Sequence, residues 1–283
     1  MDLSAHALHF TLSIPAPARQ KFSMQTRQGN LYDFPKYYDL VFGSDWRAEF
    51  DFLRACFDRY AKGRVTKVFE PGCGTGRLML RLAAAGYEVA GNDLNELAVD
   101  YCNRRLQKHG HEPTAKVEDM SDFRVRKKYD AAFNMINTFR HLPDEQAAHN
   151  HLQCVAAALR TGGIYLLGLH LTPARGQPHS EEESWAARRG HLSVLSRLWS
   201  MKLDRKARNE RVGMSFDVYT PSESFRLTNC VDFRTYTAAQ MDDLIASVPS
   251  LAVVATHDFA YDIDKSVKIT GTTEDVVYVL RKQ

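Results

Sequence analysis

The 283-residue sequence predicts an α/β fold, a mostly parallel sheet with helices on both faces, carrying an inserted antiparallel β lid. Three observations predict it. Strand and helix patterns alternate five times between residues 65 and 171, the order expected of a parallel sheet wrapped on both sides. A short apolar run, 65–69, feeds Glu70-Pro71-Gly72-Cys73-Gly74-Thr75-Gly76-Arg77 and then the amphipathic segment 78–85, which reads as strand, tight turn and helix. Beyond residue 172 the helical period gives way to strand-like alternation over 192–203, 210–219 and 224–234, joined by turns at 204–209 and 220–223.

Composition narrows the function classes. With 44% hydrophobic and 25% charged residues, the chain can build one large core with an inserted subdomain. A formal charge of +3 gives no electrostatic case for a nucleic-acid partner, and no apolar run approaches a membrane span. Five scattered cysteines without a C-x-x-C spacing indicate neither a disulfide framework nor a zinc site, which fits a reducing cytoplasm. His149 and His151 stand two apart on a helix and face different directions, so a metal-free mechanism is expected.

Taken in order, residues 1–30 show no clear period and read as a disordered or weakly ordered tail, with Met24 an alternative start to Met1. Residues 31–42 concentrate Tyr32, Phe34, Tyr37, Tyr38 and Phe42 around Pro35, a cover for a core edge or a ligand. Trp46, Phe50, Leu53, Phe57 and Tyr60 follow at three- and four-residue steps, one apolar helical face. After the glycine loop and its helix, a strand over 87–91 ends at Asn92-Asp93-Leu94, and Asn95 caps the next helix. The third strand, 114–117, leads to Asp119-Met120, and the fourth, 129–133, leads to Asn134-Met135-Ile136-Asn137. The near-continuous apolar run 164–171 is a strand buried on both faces. Residues 31–172 thus form the core, 173–235 the lid and 236–283 the completion of the core.

The glycine loop invites two readings. Its bare backbone and the helix start behind it suit a nucleotide-like ligand. A dinucleotide loop has the pattern G-x-G-x-x-G, whereas here the third glycine comes one position early and Arg77 stands in the last glycine's place. That weakens a nicotinamide-dependent oxidoreductase. The pattern Glu70-x-Gly72-x-Gly74-x-Gly76 resembles motif I of the class I S-adenosylmethionine-dependent methyltransferases, and Asp93, Asp119 and Asn134 at successive strand ends strengthen the likeness. Tyr37-Tyr38-Asp39-Leu40 and the closing run 274–280 look like the small-molecule N/O-methyltransferase branch.

The resemblance implies a Rossmann-like fold with a seven-stranded sheet and S-adenosylmethionine as cofactor. By that likeness Glu70 accepts from the cofactor's ammonium group, Gly72, Gly74 and Gly76 let the backbone pass close, and Asp93 takes the ribose hydroxyls. Asp119 and the Met120 N–H meet the adenine, Leu94 and Met120 sandwich it, and Asn134 lines the sulfonium end. His141 and His170 lie where open α/β sheets hold ligands and are the candidate general bases. Tyr38, Trp46, Asn137 and Arg140 are candidates for the acceptor site. The lid aromatics Trp185, Trp199, Phe216, Tyr219 and Phe225 form either an acceptor pocket or the lid's own core. The expected function is methyl transfer to nitrogen or oxygen of a small soluble molecule by a cytoplasmic monomer or homodimer, with no nucleic-acid or membrane partner. A cofactor-binding sensor without turnover and a nicotinamide-dependent enzyme are the alternatives.

Overall fold

In the computed structural model, which describes residues 24–176 and 182–283, strand and helix alternate from the glycine loop onward. Strand β1 (Gln25–Gln28) and a 3-10 turn (Leu31–Asp33) lead into α1 (Pro35–Phe42) and α2 (Arg47–Tyr60). Then come β2 (Lys67–Pro71), α3 (Arg77–Ala84), β3 (Glu88–Asp93), α4 (Glu96–Lys108), β4 (Ala115–Val117) and β5 (Tyr129–Asn134). A 3-10 turn (Thr138–His141) precedes α5 (Glu145–Ala158) and β6 (Leu159–His170). The lid strands are β7 (Glu183–Arg189), β8 (Leu192–Asp204), β9 (Asn209–Tyr219) and β10 (Ser224–Arg234), and α6 (Ala238–Ala246), β11 (Leu251–His257) and β12 (Asp275–Lys282) return to the core.

The core sheet has seven strands in the order β11-β12-β6-β5-β2-β3-β4. Pairing is parallel from β6 to β4, while β12 runs antiparallel to both β6 and β11. Alternation along β6 shows how both faces are buried: Ile164 and Leu166 pack with α2 residues such as Phe52 and Phe57, while Tyr165, Leu167 and Leu169 pack with Leu152 and Val155 of α5. Helix starts are set locally. Asn95 accepts from the Ala98 N–H at 2.9 Å, Asp144 from that of Ala147 at 2.8 Å, and Thr237 and Gln240 form a reciprocal capping box.

The second sheet, in the order β1-β10-β9-β8-β7, is the lid. Its inner face, with Val194, Met214, Phe216, Val218 and Phe225, closes on Leu40 and Val41 of α1. One expectation needs correction. Residues 25–28 do not belong to a weakly ordered tail: they pair in parallel with β10, and Arg27 lies 4.1 Å from the Phe225 ring centroid. The rest of that tail, 1–23, lies outside the described residues, as does 177–181 of the linker. The basic residues of the 204–209 turn tie the lid to the core. Arg205 donates to the Pro173 and Gly176 carbonyls, and Arg208, with Arg234 of β10, ion-pairs with Glu145 at the start of α5.

Asp39 ties these layers together. Its carboxylate is 1% exposed and accepts from Arg105 of α4 at 2.6 Å and from the Tyr101 hydroxyl at 3.2 Å, with Arg189 of the lid at 3.5 Å. Arg105 also donates to the Thr75 carbonyl of the glycine loop at 3.0 Å. Removing one partner strands the other buried charge, so Asp39→Ala is expected to destabilise the fold by roughly 3–5 kcal/mol, measured by urea denaturation.

His151, fully buried on α5, bridges the Met120 carbonyl at 2.9 Å and the Tyr165 hydroxyl at 2.7 Å. Burial depresses its imidazole from 6.5 to about 4, so it is neutral in the folded protein at pH 7. A base whose folded pKa lies below its unfolded value contributes stability that is complete above pH 6.5 and lost as pH falls through about 4. Urea melts at pH 7, 5.5 and 4.5 are therefore expected to show falling stability, with a shallower fall in His151→Gln.

Candidate active site

The carboxyl ends of β2 and β3 open onto a cavity of about 340 Å³. Its position follows from the strand order, because β2 is flanked by β3 on one side and β5 on the other, and the chain diverges above it. The glycine loop forms one wall. Gly72, Gly74 and Gly76 adopt φ of +68, +51 and +66°, a region that L side chains rarely occupy. A Cβ on Gly72 would stand 3.3 Å from Met120 Sδ and closer still to Thr138, so the loop passes bare against the far wall.

Asp93 and its neighbours form the second wall. One carboxylate oxygen accepts from the Gly74 N–H at 2.8 Å and the other from the Asn95 N–H at 2.8 Å. Each oxygen keeps a lone pair for a ligand hydroxyl. Burial raises the Asp93 carboxyl and these two backbone donors oppose the rise. Leu94, 68% exposed, stands at the rim, and Met120 lies across from it.

Tyr32, Tyr38 and His141 form the roof. The two tyrosine rings lie 5.2 Å apart, and the Tyr32 hydroxyl meets His141 Nε2 at 3.0 Å. Burial raises both phenols, Tyr38 to about 12, and pushes His141 from 6.5 down to about 4. The phenols are thus protonated and the imidazole neutral at pH 7, and His141 Nε2 is already engaged by Tyr32.

Four expected cofactor residues sit behind the cavity walls. Glu70 is 9% exposed and its Oε2 has no partner; burial pushes its carboxyl well above the usual range, against the opposing field of Arg77. Gly76 starts α3 against Cys102. Asp119 accepts from the Ser121 N–H at 2.7 Å, and Asn134 Nδ2 donates to the Pro71 carbonyl at 2.7 Å while its Oδ1 is unpartnered. Arg77 is ion-paired to buried Glu49 on α2. The residues that sequence reasoning did not assign to the site are Asn30, Tyr32, Thr75, Asn95, Ala98 and Thr138. Thr75 and Asn95 adjoin assigned residues, and adjacency to a motif was their only signal.

A second cavity, of about 390 Å³, lies between the lid and the ends of β6 and β12. The two cavities share one turn: Thr138 and His141 face the first, Asn137 and Arg140 the second. Ile136 and Asn137 hold φ of +49 and +65°, costly for a β-branched residue, so the turn is over-determined by its surroundings. Asn137 Oδ1 accepts from the His170 N–H at 2.8 Å, and Arg140 binds Glu210 of the lid at 2.6 Å.

The expected acceptor-site residues therefore separate. Tyr38 belongs to the first cavity, while Asn137, Arg140 and His170 belong to the second. Trp46 lines neither among the described residues: its ring lies 5.0 and 4.2 Å from the Arg47 and Arg81 guanidinium carbons and packs on Phe50. Of the lid aromatics, Trp199 lines the second cavity, whereas Phe216 and Phe225 belong to the lid core.

Comparison with known proteins places this geometry. A family model described as a methyltransferase domain matches residues 68–163. The magnesium-protoporphyrin O-methyltransferase of Synechocystis sp. is 32% identical over 94 residues, covering 31% of this chain and 40% of that protein. The chain spans between 39% and 57% of the length of the curated relatives it matches. An S-adenosylmethionine-dependent methyltransferase from Clostridium acetobutylicum shares the fold with a TM-score of 0.71 at 17% identity, over 89% of this chain and 99% of that one. A sugar N-methyltransferase from Streptoalloteichus sp. does so with a TM-score of 0.67 at 16% identity, over 99% and 100%. Among the described residues no helix is long and apolar enough to cross a membrane. The family match begins at the glycine loop and runs past the Asp93 strand end and the shared turn, so residues 68–163 match a methyltransferase domain, in a chain with the fold of S-adenosylmethionine-dependent methyltransferases.

Proposed function

We propose that this protein transfers a methyl group from S-adenosylmethionine to a nitrogen or oxygen of a small soluble molecule. The observation that carries the reading is Asp93, held by the Gly74 and Asn95 amides with lone pairs open to a cavity whose opposite wall is bare glycine backbone. The residues fit the donor. Asp93 suits ribose hydroxyls, the orphaned Glu70 Oε2 suits an ammonium group, and Leu94 and Met120 suit the two faces of a base. Asp119 and Asn134, just behind the wall, suit the adenine amino group and the sulfonium end. Arg77, tied to Glu49, occupies the place where a dinucleotide loop needs glycine, which disfavours a nicotinamide ligand.

When bound, the donor supplies an already activated methyl group. The protein's part is then alignment: holding the acceptor in line at near-attack distance is worth on the order of 7–11 kcal/mol. Tyr32, Tyr38 and His141 roof the donor cavity and exclude water from it, while Asn137, Arg140 and His170 face the adjoining space where an acceptor fits. The structural neighbours of this fold include a sugar N-methyltransferase, in keeping with a small-molecule acceptor.

Isothermal titration tests the donor site. S-adenosylmethionine and S-adenosylhomocysteine are expected to bind at micromolar concentration, whereas no binding of either at high micromolar concentration would overturn the proposal. Asp93→Ala removes two hydrogen bonds to a charged group worth about 1.5–3 kcal/mol each, so the dissociation constant should rise roughly 10²- to 10⁴-fold. Release of S-adenosylhomocysteine across an acceptor panel separates an enzyme from a sensor that only binds.

Glu70 yields a pH prediction. Its folded pKa is raised above the ordinary 4.5, so the stability it allows is complete below that pH and is lost as pH rises and the buried carboxyl ionises. Ligand-free Glu70→Gln is therefore expected to melt higher than the wild type, by a margin that grows from pH 5 to pH 8, while its affinity for S-adenosylmethionine falls.

A further inference from the structure

We propose that the second cavity is the acceptor subsite and that it selects an amine, held as its ammonium ion against a flat indole, with His170 and Asp275 arranged to take the ammonium proton. This rests on the methyltransferase reading above and names the acceptor class that reading leaves open.

The dyad is produced by strand register. His170 is the last residue of β6 and Asp275 the first of β12, and the two are direct partners in the antiparallel ladder. Their side chains meet with Nδ1 2.5 Å from Oδ1. The carboxylate can only accept, so it holds the hydrogen on Nδ1 and leaves the Nε2 lone pair available. The ring is braced edge-on by Phe259, with centroids 5.0 Å apart, and His170 lines the cavity. His141 contrasts with it, since its Nε2 is occupied by the Tyr32 hydroxyl.

The opposite wall is a platform. Trp199 and Gly213 are partners across β8 and β9, and a Cβ at Gly213 would collide with the indole, so the ring lies over the glycine, and Trp199 lines the cavity. A flat aromatic face favours a cation or the apolar face of a ring compound. The charge of the cavity selects between a cation and an anion. Among the described lining residues, Glu183, Glu210 and Asp275 stand against the single guanidinium of Arg140, which Glu210 already neutralises at 2.6 Å. An anionic acceptor therefore finds no uncompensated positive charge, whereas an ammonium group meets excess negative charge. The cavity also adjoins the donor site, because the 138–141 turn is the wall between them.

The step balances simply. One ammonium N–H bond breaks, an N–H bond forms at His170 Nε2, and the neutral amine that results carries the lone pair able to accept a methyl group. The imidazolium then returns its proton to solvent.

The test uses three probes of one shape, benzylammonium, benzyl alcohol and benzoate, titrated into the full chain with and without S-adenosylhomocysteine. Nuclear magnetic resonance follows the Trp199 indole N–H, assigned with Trp199→Phe, and the His170 ring nitrogens. Benzylammonium is expected to shift both signals and to bind at least 10-fold more tightly than either isostere. The His170 nitrogen shifts should report hydrogen on Nδ1 and none on Nε2. Asp275→Asn should abolish that tautomer preference and weaken benzylammonium about 10-fold, with S-adenosylhomocysteine affinity unchanged. Equal binding of the alcohol or benzoate, or no shift with any probe, overturns the proposal. Failure of S-adenosylhomocysteine to bind would instead overturn the donor reading, and the probe titration in its absence would still decide the cavity.

Discussion

The carboxylate of Asp39 is the contact on which the rest of the arrangement depends. It is buried in α1, yet its partners come from α4 and from the lid, and one of them, Arg105, reaches on to the glycine loop. A buried charge with this many partners is costly to form and more costly to break. Because Tyr38 stands one residue before it, the position of the cavity's roof is set by the same carboxylate that joins core to lid.

A second set of ion pairs fastens the lid from the other side. Arg140 on the 138–141 turn meets Glu210 on β9 and donates to the Arg234 carbonyl, while Arg208 and Arg234 converge on Glu145. The lid is therefore not an appendage on two linkers. It is attached at α1 and at the start of α5. The turn it rests on is the one that also walls the first cavity, which makes the geometry of the two cavities interdependent.

The two histidines that look equivalent in the sequence acquire different chemistry from their surroundings. Desolvation and a phenol make His141 a neutral element of the roof. A carboxylate one strand away makes His170 an oriented imidazole beside an acidic cavity. Both lie at or beyond the carboxyl end of a strand of the same sheet, and only what packs against each separates them.

The sequence by itself determined the alternating α/β core, the glycine loop, the cap at Asn95 and the Asp93 strand end, because each is written in local periodicity or in residues adjacent along the chain. It also marked three of the lid strands by their alternation, but not β1 or β7, whose short, largely polar segments carry no period and gain their conformation from pairing with β10 and β8. Only the tertiary structure decided which side chains share a cavity. The His170–Asp275 pair spans 105 residues, Arg140–Glu210 spans 70, and Asp39 gathers partners 66 and 150 residues away. Such contacts arise from strand register and from which faces of two sheets meet, and neither is encoded in the spacing of residues along a single segment. The same reason keeps Trp46 out of both cavities and places Trp199 on the second, since an aromatic residue's neighbours across a sheet, not its place in the chain, decide whether its ring faces a cavity or two arginines.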